Sequence, residues 1–381
     1  MVYTIVIANL SFKCSTCLRE DALRYLIITY DDYFNIPYIL NYESCMKQHG
    51  IDYDIVLWNR GESTAPHPDN HLVFTHKDSS NKVSKIAALL AWRRYVLRVL
   101  RQKHYDKVIV LTTLPGVLLH HVLVKQYNKN YWFDVRDFTY EQVPFYKTLV
   151  ADLVRKAQVT SISSKAFLDF LPESDNIVLT HNITNTDHAQ QDSALDLNKR
   201  PITIAFVGGI QYQHQNELLL HSLGNDPDFM LKYIGKVKPN CTLPAFCAQQ
   251  QIHNVEFLPV YRNEEKPQIY QSIDLINSIY GNTSKITCLA LPNKLYDCIL
   301  FKKPILVSSG TYLAEIVKEY HIGLALDLET DPVDQRIREY LDHFDPDVFR
   351  AGCNRLLEVV LAENQKYTEA LECFCSKKGT V

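Results

Sequence analysis

The chain has 381 residues, a formal net charge of −3, and 46% hydrophobic against 22% charged residues. That length exceeds one ordinary core and points to two globular domains, while the near-neutral balance excludes a general nucleic-acid binder. Ten scattered cysteines in so large a chain exclude a disulfide-stapled scaffold.

Residues 1–24 hold an apolar stretch at 4–10 and the pair Cys14 and Cys17. The stretch lacks the basic flank and cleavage site of a signal peptide, so a cytoplasmic protein with reduced thiols is expected. A single C-x-x-C without a second pair reads as incidental thiols. Residues 25–30 form an apolar strand that runs into Asp31, Asp32 and Tyr33. Helical spacing over 36–49, with Pro37 near its start and Gly50 at its end, leads to a strand at 54–58. This βαβ unit opens a parallel sheet.

Residues 61–80 are polar, contain two prolines and read as a long loop. The helix predicted over 81–104 carries seven Lys and Arg and no acid. Leu89, Trp92, Val96 and Val99 form one stripe, and Arg94, Arg98 and Arg101 lie roughly opposite. Such a helix either packs its apolar side on the sheet or rests on an anionic membrane surface. The most apolar window, 108–124, contains Pro115 and two histidines and is not read as membrane-spanning.

A strand at 107–112 is followed by Thr112-Thr113-Leu114-Pro115, a crevice loop. Another, at 131–135, ends in Asp134-Val135-Arg136-Asp137-Phe138. Charges at the carboxyl end of a parallel strand point into a ligand crevice. After a strand at 158–163, residues 180–200 are polar and aperiodic, so the domain boundary is placed near Lys199. The strand at 202–207 runs into Gly208-Gly209, which permit close approach of backbone amides to phosphate. A helix at 216–223 and strands at 229–234, 255–258 and 274–278 follow, with Tyr261 and then Asn282-Thr283-Ser284 in the loops between.

Residues 291–304 hold the next helix, which Lys303-Pro304 ends, and 305–307 form a buried strand. Pro292 suits the first helical turn. Lys294 and Asp297 share one face, while Leu295, Cys298 and Ile299 face a core. A cation and an acid at a helix start match the phosphates and ribose of a nucleotide diphosphate. A strand at 323–326 and helices at 334–341 and 347–375 complete the chain, the last with an apolar face at Phe349, Leu356, Leu357, Val360 and Leu361. No G-x-G-x-x-G or P-loop pattern occurs.

The segment LPNKLYD…KKPIL resembles the P-x-K-x-x-E/D…GKP signature of GT-B glycosyltransferases, here with Asp297 for the usual Glu and Lys302 for the usual Gly. DVRDF, the Ser161–Ala166 run, in which Ser caps the next helix, the Asn182–Asp187 segment and the Gly208-Gly209 turn resemble further parts of the family-4-like (group 1) enzymes of capsule and O-antigen synthesis. The resemblance implies an α/β, GT-B fold of two Rossmann-like parallel-sheet domains facing across a cleft. Residues 1–198 would bind the acceptor, 199–345 the nucleotide sugar, and a helix in 346–381 would cross back to the first domain.

On this resemblance Arg136, Asp137 and Lys294 are the catalytic candidates. Gly208, Gly209, Tyr261, Asn282, Thr283, Ser284, Asn293, Lys294 and Asp297 hold the donor; Asp31, Asp32 and Tyr33 lie on the acceptor side. The implied reaction is transfer of a sugar from a UDP- or GDP-linked donor to a glycan or lipid-linked acceptor. It would be retaining and metal-independent, with no cofactor and no nucleic-acid partner, beside the inner membrane surface through the helix at 81–104. A GT-B epimerase and a non-catalytic GT-B partner subunit stand as alternatives.

Overall fold

The structure, a computed structural model, describes residues 23–61, 67–77, 81–183 and 195–376. The stretch 4–10, Cys14, Cys17 and residues 184–187 of the Asn182–Asp187 segment lie outside them.

The first domain comprises β1 (Arg24–Ile28), α1 (Ile39–Gln48), β2 (Asp52–Asn59), β3 (His71–Thr75), α2 (Lys82–Gln102), β4 (Lys107–Leu111), α3 (Thr113–Gln126), β5 (Tyr131–Val135), α4 (Pro144–Lys156), β6 (Val159–Ile162) and β7 (Ile177–Leu179). Its strands pair in parallel in the order β3-β2-β1-β4-β5-β6-β7. Leu26 to Ile28 and Val108 to Leu111 are fully buried, as strands covered on both faces must be.

The second domain comprises β8 (Ile202–Val207), α5 (Gln213–Leu223), β9 (Phe229–Ile234), α6 (Leu243–Gln249), β10 (Val255–Leu258), α7 (Lys266–Gln271), β11 (Leu275–Ser278), α8 (Lys285–Leu289), α9 (Asn293–Phe301), β12 (Ile305–Ser308), α10 (Tyr312–Tyr320), β13 (Gly323–Leu326) and α11 (Val333–Asp342). Its parallel order is β10-β9-β8-β11-β12-β13. Strand order reverses between β1 and β4 in one sheet and between β8 and β11 in the other. Ligands of open α/β sheets bind outside the strand ends at such points.

Three local expectations are corrected and a fourth is refined. The stretch 61–80 contains β3, an edge strand on β2 that is half-exposed along most of its length and so shows neither a buried run nor clean alternation. Thr113 to Pro115 is not a crevice loop but the first turn of α3, with only Thr112 outside the helix. Ser164 heads the short 3-10 turn Lys165–Asp169 without capping it, because its hydroxyl donates to the carbonyl of Leu289 in the second domain. In the basic helix α2, Ala88 joins Trp92, Val96 and Val99 on the buried face, while Leu89 is only partly covered. Arg94, Arg98 and Arg101 are exposed.

Helix α9 ends at Lys302, which adopts the left-handed conformation (φ 51°, ψ 52°) that glycine takes most easily. Helix α12 (Pro346–Cys375) bridges the two domains. Phe349, Cys353, Leu356 and Val360 pack into the second-domain core, and Tyr367, Leu371 and Phe374 into a first-domain cluster around Tyr25, Tyr42 and Trp132. Leu361, assigned to the apolar face, is instead 41% exposed. Among the described residues no helix is long and apolar enough to cross a membrane.

Candidate functional site

The second-domain wall is built where β8 and β11 part. Gly208, at φ 130°, leaves β8 in a turn pressed against Gly235, where an added Cβ would meet the Gly208 carbonyl oxygen at 2.1 Å. Lys294, from the first turn of α9, points back at this turn. Its Nζ lies 3.9 Å from the Phe206 ring centroid and donates to the Tyr280 hydroxyl at 2.9 Å. A Cβ on Gly208 would stand 3.7 Å from that amine. Lys294 is 6% exposed. Burial pushes its amine down to about 7, with Asp297 opposing and Lys266 adding to the shift. A poorly solvated amine beside a glycine turn is suited to a phosphate, which would restore its charge. Lys238, which sequence reasoning missed, packs against the same turn from the loop after β9: a Cβ on Gly209 would come within 3.0 Å of its Cε. Its signal is a lysine shortly after β9, at the same sheet edge.

Asp297 is closed off. Oδ1 accepts from Lys266 Nζ at 2.8 Å and Oδ2 from the Tyr270 hydroxyl at 2.7 Å, and the residue is 7% exposed. The expectation of an acid projecting freely from the helix is thus corrected: α9 is buried from Lys294 to Leu300. Tyr261 adjoins this pair, its hydroxyl raised to about 12 by burial and then by Asp297 and Tyr280. Asn282 and Thr283 are exposed on the turn after Gly281. Ser284 is committed to α8, its Oγ accepting from the Ile286 N–H at 3.2 Å.

The first-domain wall faces this one across a cavity of about 370 Å³, lined by Asp31, Tyr38, Thr112, Arg136 and Asp137 on one side and Asn293 and Tyr296 on the other. Arg136 does not pair with Asp137. Its Nε lies 3.0 Å from both oxygens of Asp134, and its guanidinium stacks 4.1 Å from the Tyr38 ring centroid. Fully buried Asp134 also accepts from Tyr42 at 2.9 Å and Ser161 at 2.8 Å. Arg136 Nη2 and Thr112 Oγ1 are buried without a hydrogen-bond partner. Thr112 holds φ 70° and ψ 162°, a region nearly reserved for glycine that costs about 1–3 kcal/mol. Asp137 stands at the rim, open to the cleft. The surrounding protein pushes its carboxyl above the ordinary range, Arg136 opposes this, and Asp134 and Glu141 add to it. The charge of Asp137 reaches Tyr212 on the opposite wall, whose hydroxyl is raised to about 12 by burial, Tyr280 and Asp137 in that order.

Asp31 lines the cavity, with Oδ1 accepting from Asn35 Nδ2 at 2.9 Å. Asp32 caps the turn Tyr33–Asn35, and the Tyr33 hydroxyl donates to Glu43, so neither is among the cavity residues. The structure therefore gathers Asp31, Arg136, Asp137 and Asn293 in the cavity, and Lys294, Gly208 and Gly209 on the adjacent turn. A clasp that sequence reasoning also missed ties the walls together. His181, just after β7, lies 2.9 Å from the Tyr296 hydroxyl through Nδ1 and 2.6 Å from Glu363 of α12 through Nε2. Asn182 Nδ2 donates to Asn293 Oδ1 at 2.8 Å. Among the described residues no three His, Cys, Asp or Glu side chains converge to hold a metal ion.

Two facing parallel-sheet domains with a bridging terminal helix define the GT-B fold. No protein-family model matches the sequence, and no curated protein matches it. Solved structures do. The chain is similar to HepE from Anabaena in complex with UDP, with TM-score 0.66 and 13% identity over 92% of this chain and 100% of that one. It is similar to sucrose-phosphate synthase from Thermosynechococcus elongatus, with TM-score 0.63 and 12% identity over 93% and 96% of the two chains. WaaG, a glycosyltransferase involved in lipopolysaccharide biosynthesis, matches with TM-score 0.58 and 13% identity over 91% and 99%. At these identities the likeness is one of fold.

Proposed function

We propose that the chain is a glycosyltransferase that moves a sugar from a nucleotide-sugar donor on the second domain to a glycan or lipid-linked acceptor on the first, in surface polysaccharide synthesis. One observation carries this reading: Lys294 lies against the Gly208 turn at one switch point, and its neighbour Asn293 lines a cavity shared with Arg136 and Asp137 at the other. HepE, solved with UDP and with UDP-glucose, supports a UDP-linked donor, with GDP as the second candidate base.

In this reading the bond from the sugar's anomeric carbon to the diphosphate oxygen breaks, and one to an acceptor oxygen forms. The acceptor's proton passes to the departing phosphate. Lys294, Lys238 and the amides of Gly208 and Gly209 hold the charge that develops on the diphosphate. Tyr261 flanks the base, and Asn282, Thr283 and Asn293 meet the sugar. No side chain is assigned as nucleophile; positioning and leaving-group stabilisation carry a retaining, metal-independent transfer that needs no cofactor. On α2, exposed Val83, Ile86 and Leu90 lie among Lys82, Lys85 and Arg94, which suits peripheral contact with the anionic inner face of a membrane. Cosedimentation with anionic vesicles, lost in an Ile86→Asp, Leu90→Asp double variant, is expected; equal pelleting of the two proteins would rule that contact out.

The direct test is thermal stabilisation by UDP, GDP and CMP with their sugars. A ligand at about 100 times its dissociation constant stabilises by about 2.7 kcal/mol. Lys294→Ala should remove most of the shift, since a charge-assisted hydrogen bond contributes about 1.5–3 kcal/mol. A second reading, a GT-B subunit that does not turn over donor, is favoured by the closed Asp297–Lys266–Tyr270 group, because a ribose would have to displace Lys266. No shift with any nucleotide in a folded sample would select it.

A further inference from the structure

Most buried polar atoms in folded proteins have partners, so two without one beside a single cavity call for water, an ion or a ligand. Two such atoms, Arg136 Nη2 and Thr112 Oγ1, belong to residues that line the same interdomain cavity. The Arg136 side chain is only 9% exposed and Thr112 only 8%. Arg136 spends Nε on Asp134, and its Nη2 is buried without a partner. Thr112 immediately precedes the 14-residue helix α3, whose first N–H groups have no partner within the helix. It also follows β4, one of the two strands at which the first sheet reverses its order. A guanidinium N–H, a hydroxyl and a helix N-terminus at one point are donors suited to an anion. Asp134, 3.0 Å from Arg136 Nε, balances the guanidinium charge, so the site offers hydrogen-bond donors rather than net positive charge. Asp31 Oδ1 is held by Asn35 and by the Asp32 N–H. Asp137 protonates more readily than an ordinary carboxylate and in that form donates a hydrogen bond.

We propose that this end of the cleft is an oxyanion receptor, in which Arg136, the Thr112 hydroxyl and the start of α3 hold the phosphate or carboxylate of a charged sugar. That this sugar is the acceptor rests on the glycosyltransferase reading; the receptor does not. The donors would fix the charged end of the sugar and leave its hydroxyls facing the Gly208 turn. The strained backbone of Thr112 then places a hydroxyl where glycine would offer none.

The test is calorimetric titration of the whole chain with glucose 6-phosphate, glucuronate and glucose, with and without saturating UDP. One of the two anionic sugars is expected to bind at least about tenfold more tightly than glucose. Which of the two it is identifies phosphate or carboxylate as the group held. Thr112→Val keeps the shape and removes the hydroxyl; it should lower that affinity about tenfold, and Thr112→Ser should retain it. Arg136→Lys keeps a cation against Asp134 but loses Nη2, and should remove the preference for the anionic sugar. Glucose binding as tightly as both anions, no binding of any of the three sugars, or an anion affinity unmoved in both Thr112→Val and Arg136→Lys, would overturn the receptor. Anion selectivity that persists while UDP fails to bind would leave the receptor standing and count against the glycosyltransferase reading alone.

Discussion

Lys294 is an amine with an ordinary pKa of 10.5 pushed down to about 7, first by burial, against Asp297 and with Lys266. The unfolded chain keeps this proton up to about 10.5, and the folded one releases it near 7, so between these values unfolding takes up a proton. Stability from this group therefore rises with pH across that window, and its burden is fully present below 7. Phosphate binding has the opposite sign. A diphosphate prefers the protonated amine, so binding above pH 7 takes up a proton, and affinity falls by up to about tenfold per pH unit. Calorimetry at pH 8 in two buffers of different ionisation enthalpy should reveal that uptake. Lys294→Met should abolish it and raise the melting temperature of the free protein at pH 6. Equal apparent enthalpies in the two wild-type titrations would remove Lys294 from the phosphate site. At this scale the sequence conveyed residue types but not partners. Lys294 beside glycines was legible from helix spacing and a strand end. That Arg136 would pair with Asp134 rather than Asp137, and that Asp297 would be shut in by Lys266 and Tyr270, depends on which side chains the packed core presents.

At the scale of the element, α9 ends on Lys302 with positive φ, and the Lys302 amine donates to Ile299 O at 2.9 Å and Asn354 Oδ1 at 2.7 Å. Lys302→Ala keeps the strained backbone and drops both bonds, whereas Lys302→Gly drops the bonds and relieves the strain. The glycine variant is expected to be the more stable of the two by about 1 kcal/mol, read from urea midpoints. The reverse order would show that the left-handed turn carries no strain. Parallel strands were readable because both faces are covered, so β8 and β4 stand out as apolar runs. The edge strand β3 was not, since partial exposure leaves no run and no alternation. The first turn of α3 looked like a loop because Thr112, Thr113 and Pro115 cluster there; Pro115 in fact sits in the first turn, where its missing N–H breaks no helical bond.

The whole molecule is held by α12 and by the His181 clasp, both of which bridge the two sheets. Phe374 is fully buried against Tyr25 and Trp132, and its carbonyl accepts from the Tyr25 hydroxyl at 3.0 Å and from Lys107 at 2.6 Å. Phe374→Ala should cost about 3–5 kcal/mol and release the end of α12 from the first domain. Calorimetry should then resolve two unfolding transitions where the wild type shows one; a single transition in both would mean that α12 does not couple the domains. The same bridging sets the cleft width, because α9 carries both Lys294, on the Gly208 turn, and Tyr296, in the clasp. The most direct measurement of the central claim is UDP and GDP binding by the wild type and by Lys294→Ala at pH 6.5, where the amine is mostly protonated. A glycosyltransferase with its donor diphosphate on the Gly208 turn predicts micromolar or tighter binding of one of the two, weakened about tenfold or more in Lys294→Ala. A folded wild type that binds neither nucleotide, or that binds one equally well without Lys294, would contradict it.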